Sequence, residues 1–121
     1  MIALGGRKLW LYGLRIDMRK GIDGLAALVL SELGRDPLSG EVFLFVGREA
    51  SRLKLLCWEG DGYWLATKRL AQGRFLAPVC KTAEGRPVAV QLSATEWQLL
   101  LDGIVVRNRV VLTRHGRNCG T

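Results

Sequence analysis

The stretch Arg52-Leu53-Lys54-Leu55-Leu56-Cys57-Trp58-Glu59-Gly60-Asp61-Gly62-Tyr63-Trp64-Leu65-Ala66-Thr67-Lys68-Arg69 decides the fold class of this chain. Two strand-like runs, Arg52 to Trp58 and Tyr63 to Lys68, flank Glu59-Gly60-Asp61-Gly62. Two glycines around an aspartate supply the positive φ angles that a tight hairpin needs. A turn centred on Gly60-Asp61 sets Trp58 against Tyr63, Leu56 against Leu65, Lys54 against Thr67 and Arg52 against Arg69. Strand side chains alternate between faces, so these eight residues share one face. The other face, with Leu53, Leu55, Cys57, Trp64, Ala66 and Lys68, is the better candidate for the core.

Upstream of the hairpin, Glu41 to Val46 reads as a strand ended by Gly47. Before it, apolar residues recur from Ile22 at Leu25, Leu28, Val29 and Leu33, the spacing of one helical face. Ala26, Ala27 and Leu30 widen that face, which predicts a helix buried deeply against a sheet. Gly34 suits its C-cap, and Asp36-Pro37-Leu38-Ser39-Gly40 is turn chemistry. Lys8 to Tyr12 is a short first strand, and Leu14 to Gly21 a loop in which Asp17 is placed to cap the helix. Downstream, Gly73 to Pro78 reads as a short edge segment, Thr82 to Pro87 as a polar connection and Val88 to Leu92 as the last strand. Ser93-Ala94-Thr95-Glu96 is a capping box, opening a helix in which Trp97, Leu100, Leu101 and Ile104 share a face and which Gly103 closes. The expected order is β-α-β-β-β-(β)-β-α: an α+β domain over residues 1–106, with a mainly antiparallel sheet of five strands and two helices. Residues 107–121 form a basic tail whose composition suits disorder.

A length of 121 residues with 49% hydrophobic content is enough for one domain with its own core and excludes a disordered chain. The net charge of +7 is unevenly spread. Arg107, Arg109, Arg114 and Arg117 give the tail +4 without a single acid, which leaves +3 for residues 1–106. Thirteen of the eighteen cations are arginine, whose planar fork suits phosphate better than a lysine point charge does. A polyanionic partner is implied, nucleic acid first among them. The three cysteines, Cys57, Cys80 and Cys119, are odd in number and widely spaced. With no apolar run long enough for a secretory leader or a membrane span, they predict reduced thiols in a cytoplasmic protein with no membrane association.

Two clusters carry binding chemistry. On the hairpin, Arg52, Lys54 and Arg69, with Lys68 and Arg74 nearby, accompany Trp58 and Tyr63. Rings that stack bases among cations that neutralise phosphates make a nucleic-acid platform. The same pattern also describes an amphipathic hairpin whose aromatics pack beneath a helix. In the second cluster, Arg19 and Lys20 precede a helix N-terminus and have the means to grip a phosphate, or Asp17 and Gly21 serve only to shape the helix entry. Catalytic residues are not evident. Asp17, Asp23, Asp36 and Asp61 occupy turns, caps or helix starts where Asp is common anyway, and Glu59 and Glu96 complete the acids worth testing. The one histidine, His115, lies in the tail with Cys119 four residues on, which is too few ligands for a zinc site. No enzyme activity, metal, cofactor or small-molecule substrate is expected.

The segment Asp17-Met18-Arg19-Lys20-Gly21-Ile22-Asp23-Gly24-Leu25-Ala26-Ala27-Leu28-Val29 resembles the opening signature of the small TnpB-type accessory proteins of the sixty-six-group bacterial insertion sequences. Further matches follow in order: Asp36-Pro37-Leu38-Ser39-Gly40, Val42-Phe43-Leu44-Phe45, Lys54 to Gly62, Lys68-Arg69-Leu70, Gly73-Arg74-Phe75 and Leu99 to Ile104. The resemblance covers Lys8 to Ile104 and departs at Val105-Val106-Arg107, where the family has an Asp-Trp-Arg-like stretch. These proteins are distinct from the RNA-guided nucleases that share the TnpB label. The resemblance implies a part in transposition beside a separate transposase that carries the catalytic acids, and it transfers no catalytic residue. The expected partners are element-end DNA, the transposase and a sister accessory protein. The DNA contacts expected are Arg19, Lys20, Arg52, Lys54, Lys68, Arg69 and Arg74, with Trp58 stacking or packing. The alternative is a module that binds the transposase or another accessory protein without touching DNA.

Overall fold

The computed structural model describes residues 5–102 and 118–120. The expected tail, and the closing Gly103-Ile104 of the second helix, lie outside those residues apart from 118–120. The elements run β1 (Leu9–Ile16), α1 (Ile22–Ser31), β2 (Val42–Gly47), β3 (Arg52–Trp58), β4 (Tyr63–Arg69), β5 (Val79–Lys81), β6 (Ala89–Leu92), α2 (Ala94–Leu101) and β7 (Asn118–Gly120). Five strands form one sheet in the order β4-β3-β2-β1-β6, and β5 pairs with β7 in a separate ribbon. The fold is α+β with a mostly antiparallel sheet, as the sequence predicts.

Strand β2 sits at the centre, and all six of its residues are buried. Its run Val-Phe-Leu-Phe-Val is apolar on both faces, as a strand covered on both sides must be. Against one face, α1 lays Leu25 and Val29 over Trp10, Tyr12, Ile16, Phe43, Phe45 and Leu56. Against the other, Trp97 and Leu100 of α2, with Phe75, Ala77 and Cys80, cover Leu11, Leu44, Leu53, Leu55 and Val90. The hairpin therefore has no single core face. Leu53, Leu55 and Cys57 meet the α2 side as expected, while Leu56 and its partner Leu65 meet the α1 side. Trp64, Ala66 and Lys68 are exposed instead of buried, on a β4 that forms an edge of the sheet.

The β3–β4 register is the expected one, pairing Trp58 with Tyr63, Leu56 with Leu65, Lys54 with Thr67 and Arg52 with Arg69. Gly60 takes a φ of 69° and the Glu59 amide donates to the Gly62 carbonyl at 2.8 Å, which closes the turn. The capping box of α2 is also formed, with Ser93 and Glu96 each accepting from the other's backbone amide. The start of the chain differs more. β1 continues through Ile16 where a loop is expected, and it pairs parallel with β2. The helical crossover through α1 is long enough to permit that arrangement. The α1 N-cap is Gly21 with no side-chain cap, so Asp17 does not cap the helix. Cys80 is disulfide-bonded, which corrects the expectation of reduced thiols, and Cys119 stands opposite it in the β5–β7 register. Cys57 is free and buried.

The extension of β1 depends on a break in its register between Leu11 and Arg15, where Gly13 passes against other backbone. A Cβ at Gly13 would lie 2.0 Å from the Cys80 carbonyl oxygen and 2.6 Å from that of Val88. Both obstacles are main chain and neither can rotate away. Gly13→Ala is expected to lower the unfolding free energy by about 3 kcal/mol, read from urea denaturation. A change of under 0.5 kcal/mol would mean that the β1 irregularity is not fixed by this close approach.

Candidate functional site

Arginines stand at both ends of the sheet, and the ends differ. At the end that carries the β3–β4 turn, two arginines are matched. Arg7 pairs with Glu59 at 3.2 Å and donates to the Gly40 carbonyl at 2.6 Å. Arg35 pairs with Glu41 at 3.5 Å and stacks over Trp10, 3.5 Å from the ring centre. Trp64 Nε1 donates to Glu59 at 2.7 Å. Trp58 and Tyr63 also lie at this end, edge to face with ring centres 5.0 Å apart. Both rings are half-buried, and Tyr63 packs onto the α1 cluster. Burial, with the charges of Asp36 and Asp23, pushes the Tyr63 hydroxyl pKa up.

At the other end, Arg52 and Arg69 stand directly opposite each other in the β3–β4 ladder. Like charges in that position destabilise a sheet. Together with Arg48 from the β2–β3 turn they line a cleft of about 370 Å³ beside Ile16, Asp17 and Met18. This is the crevice outside the carboxyl ends of the two parallel strands, where open sheets with helical crossovers commonly bind ligands. Arg48, Arg52, Arg69 and Arg74 make no ion pair among the described residues. Two acids reach the cleft. Glu49 pairs with nothing among the described residues, and Asp17 is held by Arg19. Hydrogen bonds from the Arg19 side chain and backbone, with the Arg48 charge adding, hold the Asp17 carboxyl well below the usual carboxylate range.

The expected contact residues thus divide. Arg52 and Arg69 come together in the cleft, and Arg74 lines a neighbouring one with Arg48. Lys54 is committed to the fold: its ammonium donates to the carbonyls of Met18 and Lys20, each at 2.7 Å. Lys68 donates to the Leu101 carbonyl on the opposite face of the sheet. Arg19 is exposed and forked onto Asp17, and Lys20 is exposed beside it. Trp58 is six residues along β3 from Arg52, about 20 Å at the rise of a strand, so the rings and the unpaired arginines do not form one platform. Sequence reasoning missed Arg48 and Arg15. Arg48 follows Gly47 in a two-strand turn, the position from which a side chain reaches the strand ends on either side. Among the described residues no group of three His, Cys, Asp or Glu is placed to hold a metal ion. No described helix is long and apolar enough to cross a membrane.

The family model described as IS66 Orf2 like protein matches residues 7–110. The chain is also similar to two proteins of Sinorhizobium fredii (strain NBRC 101917 / NGR234). Uncharacterized protein y4jC is 38% identical over 89 residues, covering 74% of this chain and 72% of the relative. Uncharacterized protein y4hO is 40% identical over 97 residues, covering 80% of each. No solved structure matches. The chain belongs to the IS66 Orf2-like family, the TnpB-type accessory proteins of insertion-sequence transposition. The match runs six residues beyond Ile104, through the Val105-Val106-Arg107 departure.

The Lys54 contacts separate a structural cation from an available one. Lys54→Met leaves two backbone carbonyls of the 17–20 turn without their donor, and is expected to cost about 2 kcal/mol of unfolding free energy. A variant of wild-type stability would show that the ammonium is free for a ligand.

Proposed function

We propose, with membership of this family as the premise, that the chain is a non-catalytic DNA-binding accessory factor that helps a separate transposase assemble on the ends of its element. The observation that supports this reading is the pair Arg52 and Arg69, opposite each other and without an ion pair among the described residues, with Arg48 beside them. An arrangement that costs stability in the free protein is relieved when an anion enters between the cations. Arginine forks match phosphate oxygens in pairs. Contacts to a phosphate backbone position the chain and do not by themselves specify sequence. Lys20 and Arg74, both exposed, extend the basic surface on either side.

A second reading, a module that binds the transposase or a sister accessory protein, has one observation in its favour. Trp64 is 44% exposed on β4, the edge of the sheet among the described residues. Such an edge accepts an added strand.

Binding to element-end duplex across a salt series tests the DNA reading. If Arg52 and Arg69 each neutralise one phosphate, Arg52→Ser with Arg69→Ser should lower the slope of log affinity against log salt by about 1.8, from roughly 0.9 per contact. An unchanged slope contradicts the proposed contacts. Binding of the transposase that survives nuclease treatment, with no affinity for DNA, would favour the second reading.

A further inference from the structure

We infer that the neighbouring cleft, walled by Arg15, Arg48 and Arg74 against the β2–β3 turn, is a binding site for a single phosphate group. The site stands on its own geometry; only a DNA strand as the source of the phosphate rests on the function proposed above. Arg15 forms the floor. It extends from β1 just beyond the Gly13 irregularity, half-buried on the α2 side of the sheet, and its Nη2 donates to the Ala77 carbonyl at 2.8 Å. Its Nη1 is buried and has no hydrogen-bond acceptor among the described residues. Burial pushes the guanidinium pKa down.

A desolvated cation is costly unless it is paired. All eleven side-chain carboxylates of the sequence belong to residues 17–102, and none of them pairs with Arg15. Glu49 lines the cleft but makes no ion pair with it. Around the floor, the other groups point to the same chemistry. Arg48 and Arg74 have no ion-pair partner among the described residues, and the Ser51 hydroxyl has no hydrogen-bond partner there. The Arg48 and Arg74 guanidinium groups and the Ser51 hydroxyl offer more donors than a carboxylate can accept, and suit a tetrahedral phosphate. A buried charge acts across a low-dielectric wall, so Arg15 contributes attraction without reaching the rim. The turn residues Arg48 to Ser51 line both this cleft and the Arg52–Arg69 cleft, so a phosphate here adjoins the one proposed there.

Titration of the full chain with inorganic phosphate at constant ionic strength, followed by amide NMR, is the test. Saturable shifts are expected at the Ala50 and Ser51 amides, with chloride producing none. Arg74→Gln, at an exposed position that cannot disturb the core, should weaken the apparent Kd about tenfold, and Arg15→Gln should weaken it further. Non-saturable shifts, or saturable shifts that both variants leave unchanged, overturn the proposal. Added unphosphorylated duplex that displaces the bound phosphate identifies the DNA backbone as the source. Phosphate binding that persists in excess duplex identifies a free phosphate-bearing ligand, and leaves the Arg52–Arg69 reading to stand or fall on its salt slope.

Discussion

Strand β2 has no face to offer water. With Val42, Phe43, Leu44, Phe45 and Val46 all buried, the sheet must be covered on both sides, and the chain meets that demand with α1 on one face and α2 with the Phe75–Cys80 segment on the other. Burying so much apolar surface is the main stabilising term for a domain of this size. It also dictates where polarity goes. No polar or charged residue is among the buried ones described, and most charged side chains lie at strand ends, edges and turns. The location of a charged site follows from the hydrophobic constraint before any ligand is considered.

Within that constraint, the two strand ends are treated differently. Near the β3–β4 turn, Arg7 and Arg35 are tied to Glu59 and Glu41 and serve to fasten loops. Near the β2–β3 turn, Arg48, Arg52, Arg69 and Arg74 converge without such partners among the described residues, and Arg15 adds a half-buried charge beside them. Folding alone does not favour that concentration, since each cation raises the cost of the next. A role in binding a polyanion accounts for it, and agrees with an accessory part in moving a DNA element. The fold supplies position and a charged groove at these strand ends.

Local chemistry was readable in the sequence and long-range geometry was not. Gly60-Asp61 set the hairpin register correctly to the residue, and Ser93 with Glu96 marked the start of α2, because both signals are complete within a few positions. The β1–β2 parallel pairing was hidden because Gly13 interrupts the alternation of Leu9 to Tyr12, so Leu14-Arg15-Ile16 reads as a loop. Asp17 was misread as a helix cap because a short acid before a helix suits either role; its carboxylate is taken by Arg19. Arg52, Lys54 and Trp58 looked alike as members of one hairpin face. What separates them is tertiary: Lys54 meets two carbonyls from the 17–20 turn, Trp58 meets Tyr63, and Arg52 meets only another arginine. Arg15 and Arg48 stood out only once the strand ends were assembled.

We propose that this chain meets DNA at the strand ends around the β2–β3 turn and not at the aromatic end of the hairpin. Amide hydrogen exchange of the full chain, alone and with element-end duplex, tests it most directly. The account predicts slowed exchange in residues 47–52 and 69–75, with the 58–63 turn unchanged. Slowing confined to 58–63, or none in either region at saturating DNA, would contradict it.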